Sequence, residues 1–179
     1  MLPPRWITVH HDGLDLASAA ELGDAAERIE HIRLSHTRKG WGDIGYHYLV
    51  DREGRIWQGR SLAWQGSHVK GSNEGNIGIC CLGNFEVEQP SRRQLDALKV
   101  LLRRLSGQHG IDPACVRTHQ EWPGAHTACP GRNLQSAFER AWRAGSFGGV
   151  GSRQAQVSRH PDREIGPWND SGRATPHLG

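Results

Sequence analysis

The chain has 179 residues, 36% of them apolar, which suits one domain with a remainder. Lys and Arg total 22 against 19 acidic residues, a net charge of +3. That surplus is too small to argue for nucleic acid as a partner and is compatible with a polyanionic substrate or surface. No segment approaches the roughly 18 apolar residues that a membrane span needs. The opening MLPPRWITVHHDG holds no apolar run of signal-peptide length, so synthesis in the cytoplasm without membrane insertion is expected. The 4 cysteines include the adjacent Cys80 and Cys81, a poor disulfide framework that favours a reducing compartment.

In chain order, RWITVHH (residues 5–11) predicts a first strand, with Ile7 and Val9 alternating against Thr8 and His10. The Ala-rich residues 16–37 predict a helix with a broken stripe of Ala25, Ile29, Ile32 and Leu34. Strands over Tyr46–Val50 and Arg55–Gln58 flank the turn signal DREG. The glycine-punctuated polar residues 61–75 read as a long surface loop, and NIGICCLG (residues 76–83) as a buried strand. Residues 90–110 give the clearest helix. Ser91 and Gln94 suggest a capping box, Leu95, Leu98, Leu102 and Leu105 form one face, and Gly107 or Gly110 stops it. CVRTH (residues 115–119) is a short last strand, and residues 132–142 a closing helix with Leu134, Phe138 and Trp142 on one face. From Gly145 periodicity ends, and residues 145–179 read as a Gly-rich polar flexible tail behind a domain over 1–144. Interleaved helices and strands imply an α/β fold, a central mixed β-sheet flanked by helices.

Histidine is abundant, 11 in all, and several sit where strands end. A catalytic zinc site needs three protein ligands and one open position. His10, His119 and Cys129 would supply two nitrogens and one sulfur from strand ends and a neighbouring loop. Successive side chains of a strand face opposite sides. His11 shares a face with Ile7 and Val9, whereas His10 shares the mixed face with Thr8, which favours His10 for the site.

GWGDIGYHYLVDREGRIWQGR, GSHVKGSNEGNIGICCLGNF and TACPG together resemble the type 2 N-acetylmuramoyl-L-alanine amidases. That family includes amidase-type phage lysozymes and animal peptidoglycan recognition proteins, and the resemblance spans residues 5–143. It implies Zn2+ as cofactor, held by His10, His119 and Cys129, with Tyr46 of the Gly-Tyr-His stretch tied to catalysis. It places Thr127 where the coliphage enzymes have Lys and active recognition proteins have Thr, so a hydroxyl must serve in place of an ammonium. The segment between His119 and Cys129 is about two residues longer than usual in the family, an insertion that costs little in a loop. Of Tyr46 and His47 only one can face the metal. Tyr46 is the choice, and His47 is expected on the other side of the sheet in a structural hydrogen bond.

Other residues weigh toward ordinary roles. Cys80 and Cys81 suit the core, Cys115 is expected to be inert, His126 suits a loop near the substrate, and Glu121 a solvated loop rather than a general base. Trp41, Trp57 and Trp64 suit packing, with stacking on sugar rings as the alternative; Arg60 and Lys70 are either surface charges or contacts for peptide carboxylates. The expected activity is hydrolysis of the amide between N-acetylmuramic acid and L-alanine in peptidoglycan, by a monomer. An endolysin is the expected context, made in the host cytoplasm, acting at the cell wall, and dependent on a separate membrane-permeabilising protein for release. In the recycling amidases of the same family an acidic residue stands where this chain has Cys129. A cytoplasmic amidase recycling anhydro-muropeptides and a non-catalytic peptidoglycan receptor are the rival readings.

Overall fold

The computed structural model describes residues 1–143 together with the backbone of Val157–Ser158. Among these residues the strands are β1 (Trp6–His11), β2 (Tyr48–Val50), β3 (Ile56–Gln58), β4 (Asn76–Cys81), β5 (Val116–Thr118) and β6 (Val157–Ser158). The helices are α1 (Leu16–Ala20), α2 (Ala25–Arg38), α3 (Arg92–His109) and α4 (Arg132–Phe138). The strands form one sheet in the order β5-β1-β4-β2-β3-β6. β1 runs parallel to both β4 and β5, β2 parallel to β4, and β3 antiparallel to β2, so the sheet is mixed as expected. β6 pairs with β3 inside the expected tail, and the rest of residues 145–179 lies outside the described residues.

Alternation along β1 decides what each face carries. Ile7 and Val9 join Val50, Ile77, Ile79 and Cys81 under α3 and α4, against Leu98, Leu102, Leu134 and Phe138. The opposite face packs Leu49, Trp57 and Cys80 against Ile29 and Ile32 of α2. Thr8 and His10 lie on that second side, both buried. β4 is buried along its whole length, the pattern of a parallel strand covered on both faces.

Several boundaries differ from the sequence expectation, each for a local reason. The first predicted helix is two. Gly23 (φ +78°) breaks it, and Asp24 recaps α2 by accepting from Ala26 and Glu27 amides while the Glu27 carboxylate accepts from the Asp24 amide. Leu34 is 39% exposed, and Arg28 and His36 are buried on α2 in its place. The Ser91 hydroxyl accepts from the Gln94 amide, but Gln94 does not return the bond; its Nε2 donates to the Val50 and Leu82 carbonyls, tying α3 to the sheet. α3 continues past Gly107 and stops at Gly110 in the left-handed conformation. The last helix divides its expected run into α4 and a following π turn, and Leu134, Phe138 and Trp142 are all buried.

Candidate metal centre

The site grows out of strand ends. β1 and β5 are parallel neighbours paired Val9↔Thr118, so the next residues, His10 and His119, emerge side by side at their carboxyl ends. This is where open α/β sheets place ligands. The two rings lie 4.6 Å apart. The loop after β5 folds back on itself through a 3-10 turn at His119–Glu121 and a turn at Trp122–Ala125. The Gln120 amide then donates to the Cys129 carbonyl at 2.9 Å, which returns Cys129 to His119.

One donor atom each from His10, His119 and Cys129 lies within 4.8 Å of the other two. Cys129 Sγ is 3.7 Å from His10 Nδ1, so it is Nδ1, not Nε2, that faces the cluster. His10 is 1% and Cys129 9% exposed, while His119 is half-buried and forms the solvent side. Burial, then the neighbouring His68, His119 and His11, hold His10 well below the ordinary imidazole range. Burial likewise lowers His119. Both rings are therefore neutral at pH 7, as ligands must be. Two borderline nitrogens and a sulfur suit zinc in donor type and number, with a fourth position left for solvent.

The Tyr46 ring lies 5.2 Å from that of His10. Burial, then Cys80 and Cys129, push its phenol well above the usual range, so Tyr46 stays protonated as a hydrogen-bond donor. The Thr127 hydroxyl accepts from the Cys129 amide at 3.1 Å and keeps its proton to give elsewhere. His11 points away from the cluster, its Nδ1 accepting from the Phe85 amide at 3.3 Å.

The N-acetylmuramoyl-L-alanine amidase family profile matches residues 1–132. The chain belongs to that family. It is 30% identical over 140 residues to a peptidoglycan-recognition protein of Drosophila simulans, covering 78% of this chain and 75% of that one. It is 32% identical over 117 residues to the endolysin of Escherichia phage T7, covering 63% and 75%. Among solved structures, the N-acetylmuramoyl-L-alanine amidase LysC from Clostridium intestinale superposes with a TM-score of 0.64 at 28% identity, covering 77% of this chain and 85% of that one.

Around the centre of this amidase-family chain, several side chains sit elsewhere than expected. His47 does not cross to the other face. It lies at the end of β2, where Nδ1 accepts from the Gly78 amide at 3.0 Å and continues the sheet ladder through its ring. Its other nitrogen meets the Trp64 carbonyl, so the structural hydrogen bond holds while the side does not. Arg60 is engaged by backbone: it donates to the carbonyls of Trp41, Asp43, Ile44 and Gln65 and staples that loop. Trp57, by contrast, packs as expected: it is 6% exposed and donates to Asp51, which removes it from any sugar contact. Glu121 is partly exposed and held in its turn, accepting from the Thr118 amide and from Gln135. His126 is exposed.

A groove of about 550 Å³ is lined by Trp41, Asp43, Arg60 and Trp64 among others. Trp64 is 70% exposed. The Trp41 ring lies tilted 4.5 Å from that of His36, and His36 lies 5.5 Å from Tyr46, so a run of aromatic rings leads from the groove toward the centre.

The residue that sequence reasoning missed is His68. Placed in a presumed surface loop, it is 9% exposed and its Nδ1 lies 3.0 Å from His10 Nε2. A clue was present: Gly66 and Gly78 leave the space its ring fills, since a Cβ on either would sit 2.6 Å from it.

Proposed function

We propose that the chain is a zinc-dependent N-acetylmuramoyl-L-alanine amidase cleaving the bond between the lactyl group of N-acetylmuramic acid and L-alanine. The observation that carries this reading is the convergence of His10, His119 and Cys129 within 4.8 Å, beside a buried neutral phenol, in a chain of the amidase family. Zinc held by these residues would supply Lewis acidity, polarising an amide carbonyl and lowering the pKa of bound water to about 7. The chain's own groups do the rest. Tyr46 and Thr127 donate hydrogen bonds to charge developing on the carbonyl oxygen, each worth on the order of a hundredfold in rate. The half-buried His119 leaves the solvent side open to substrate. Trp64 and Trp41 offer flat apolar faces to glycan rings along the adjoining groove.

Similarity to phage endolysins supports an endolysin role, with synthesis in a host cytoplasm, action at the cell wall and release by a separate membrane-permeabilising protein. Cys129 in the donor set favours this over the recycling amidases, whose corresponding residue is acidic. A complete donor set favours an enzyme over a receptor.

The test is digestion of purified sacculi followed by mass spectrometry. A zinc amidase gives new L-Ala amino termini and one zinc per chain, and Cys129→Ala loses both while circular dichroism stays unchanged. Sacculus binding without new amino termini would make the chain a recognition protein. New reducing sugar ends would make it a glycosidase.

A further inference from the structure

We propose that His68 is a positioning residue that fixes the tautomer of His10, so that His10 presents an unprotonated Nδ1 to His119 and Cys129. The proposal rests on the metal-site reading above and adds a residue to it.

Hydrogen-bond polarity runs outward here from a group whose role is fixed. The backbone carbonyl of Asn76 can only accept. His68 Nε2 lies 3.1 Å from it and so carries a proton. A neutral imidazole holds one N–H, which leaves His68 Nδ1 as an acceptor. His10 Nε2, 3.0 Å away, must then be the donor. With its single proton on Nε2, His10 keeps a lone pair on Nδ1, the atom 3.7 Å from Cys129 Sγ. Reversing the His10–His68 bond would put the His10 proton on Nδ1 and close it to a ligand.

The surroundings hold this relay in place. Gly66 and Gly78 admit the ring from two sides. The Asn73 side chain accepts from the His68 and Val69 amides, both at 2.8 Å. The Asn76 side chain is clamped as well, donating to the Ser72 carbonyl at 2.8 Å and accepting from Thr8 Oγ1 at 2.9 Å. Thr8 in turn accepts from Trp122 Nε1 at 2.8 Å, and Trp122 stands in the loop between His119 and Cys129. The proton on His10 is thus specified by the Asn76 backbone carbonyl, two hydrogen bonds away through His68. Outer partners of this kind orient ligand histidines and are typically worth about ten- to a hundredfold in metal affinity.

Long-range 1H–15N NMR on the full chain without metal tests this directly. Wild type should show His10 with a pyrrole-like Nε2 and a pyridine-like Nδ1; a protonated Nδ1 in the metal-free wild type overturns the proposal whether or not zinc binds. Chelator competition gives the second readout. His68→Leu should weaken zinc binding about ten- to a hundredfold. His68→Gln, whose amide can accept from His10 and donate to Asn76, should restore affinity to within a few-fold of wild type. Unchanged affinity in folded His68→Leu overturns the proposal and leaves the metal site standing. Failure of the metal site itself appears separately, as wild type binding no zinc. A histidine that only packs would give equal losses in Leu and Gln, with the His10 tautomer unaltered, and this too overturns it.

Discussion

Cys129 Sγ accepts a hydrogen bond from the backbone amide of His11 at 3.4 Å, across 118 residues of chain. The end of β1 thus delivers a ring, from His10, and an amide, from His11, to the same sulfur. Burial pushes the Cys129 thiol up to about 12, with the His11 amide pulling the other way. Without metal the sulfur is protonated at neutral pH, and a zinc ion must displace that proton. Calorimetry at pH 7 in buffers of different ionisation enthalpy should therefore report about one proton released per zinc, with affinity rising about tenfold per pH unit. Uptake without proton release would place the sulfur outside the ligand set.

Tyr46→Phe keeps the ring and removes only the donor. It should lower kcat by on the order of a hundredfold with zinc content unchanged. Thr127→Val should do the same to a similar degree, and Thr127→Ser should retain most of the rate. Loss of zinc in Tyr46→Phe would show instead that the phenol supports the fold of the centre.

Arg28 forms a buried, two-pronged ion pair with Asp12, at 2.6 and 2.7 Å, and also donates to the Leu14 carbonyl. Asp12 directly follows the strand that carries His10. Arg28→Ala strips the buried carboxylate of its charge partner and leaves it the Gly83 amide, which should cost about 3–5 kcal/mol in urea unfolding. The double change Arg28→Met with Asp12→Asn should recover part of that loss, because it removes the stranded charge.

Acid should destabilise the domain even where no metal is involved. Burial first of all lowers His36 to about 4, His47 to about 4 and His68 to about 3, against 6.5 for a free imidazole. Between pH 6.5 and about 4 the unfolded chain then binds more protons than the folded one, so stability increases with pH across that window and falls on acidification. His47 and His68 each contribute a slope on the order of 1 kcal/mol per pH unit. Urea midpoints of metal-free Cys129→Ala at pH 7.5, 6 and 5 measure it; a flat profile would mean these rings are not held neutral.

Periodicity and alternation made much of this molecule legible. The choice of His10 over His11 needed only the period of a strand, and the α3 stripe needed only the period of a helix. Convergence of His119 with Cys129 came from the family pattern, because nothing local in a Pro-Gly-rich loop says where it returns. His68 was misplaced because glycines read as looseness, and His47 because strand alternation was extended to a residue that precedes β2. Gly66 and Gly78 instead make room for a ring, and bulk that fills a gap from another part of the chain leaves no periodic trace. Arg60 was misread similarly, since a guanidinium stapling carbonyls and one facing solvent look alike in sequence.

Among the described residues, β5 is three residues long and lies at the edge of the sheet, bonded to β1 alone. His119 hangs from its last residue. Short edge segments open locally more easily than central strands, so ion capture and edge fraying draw on one equilibrium. Backbone amides of residues 116–118 should exchange with deuterium more slowly once zinc is bound, while those in the middle of β4 change little.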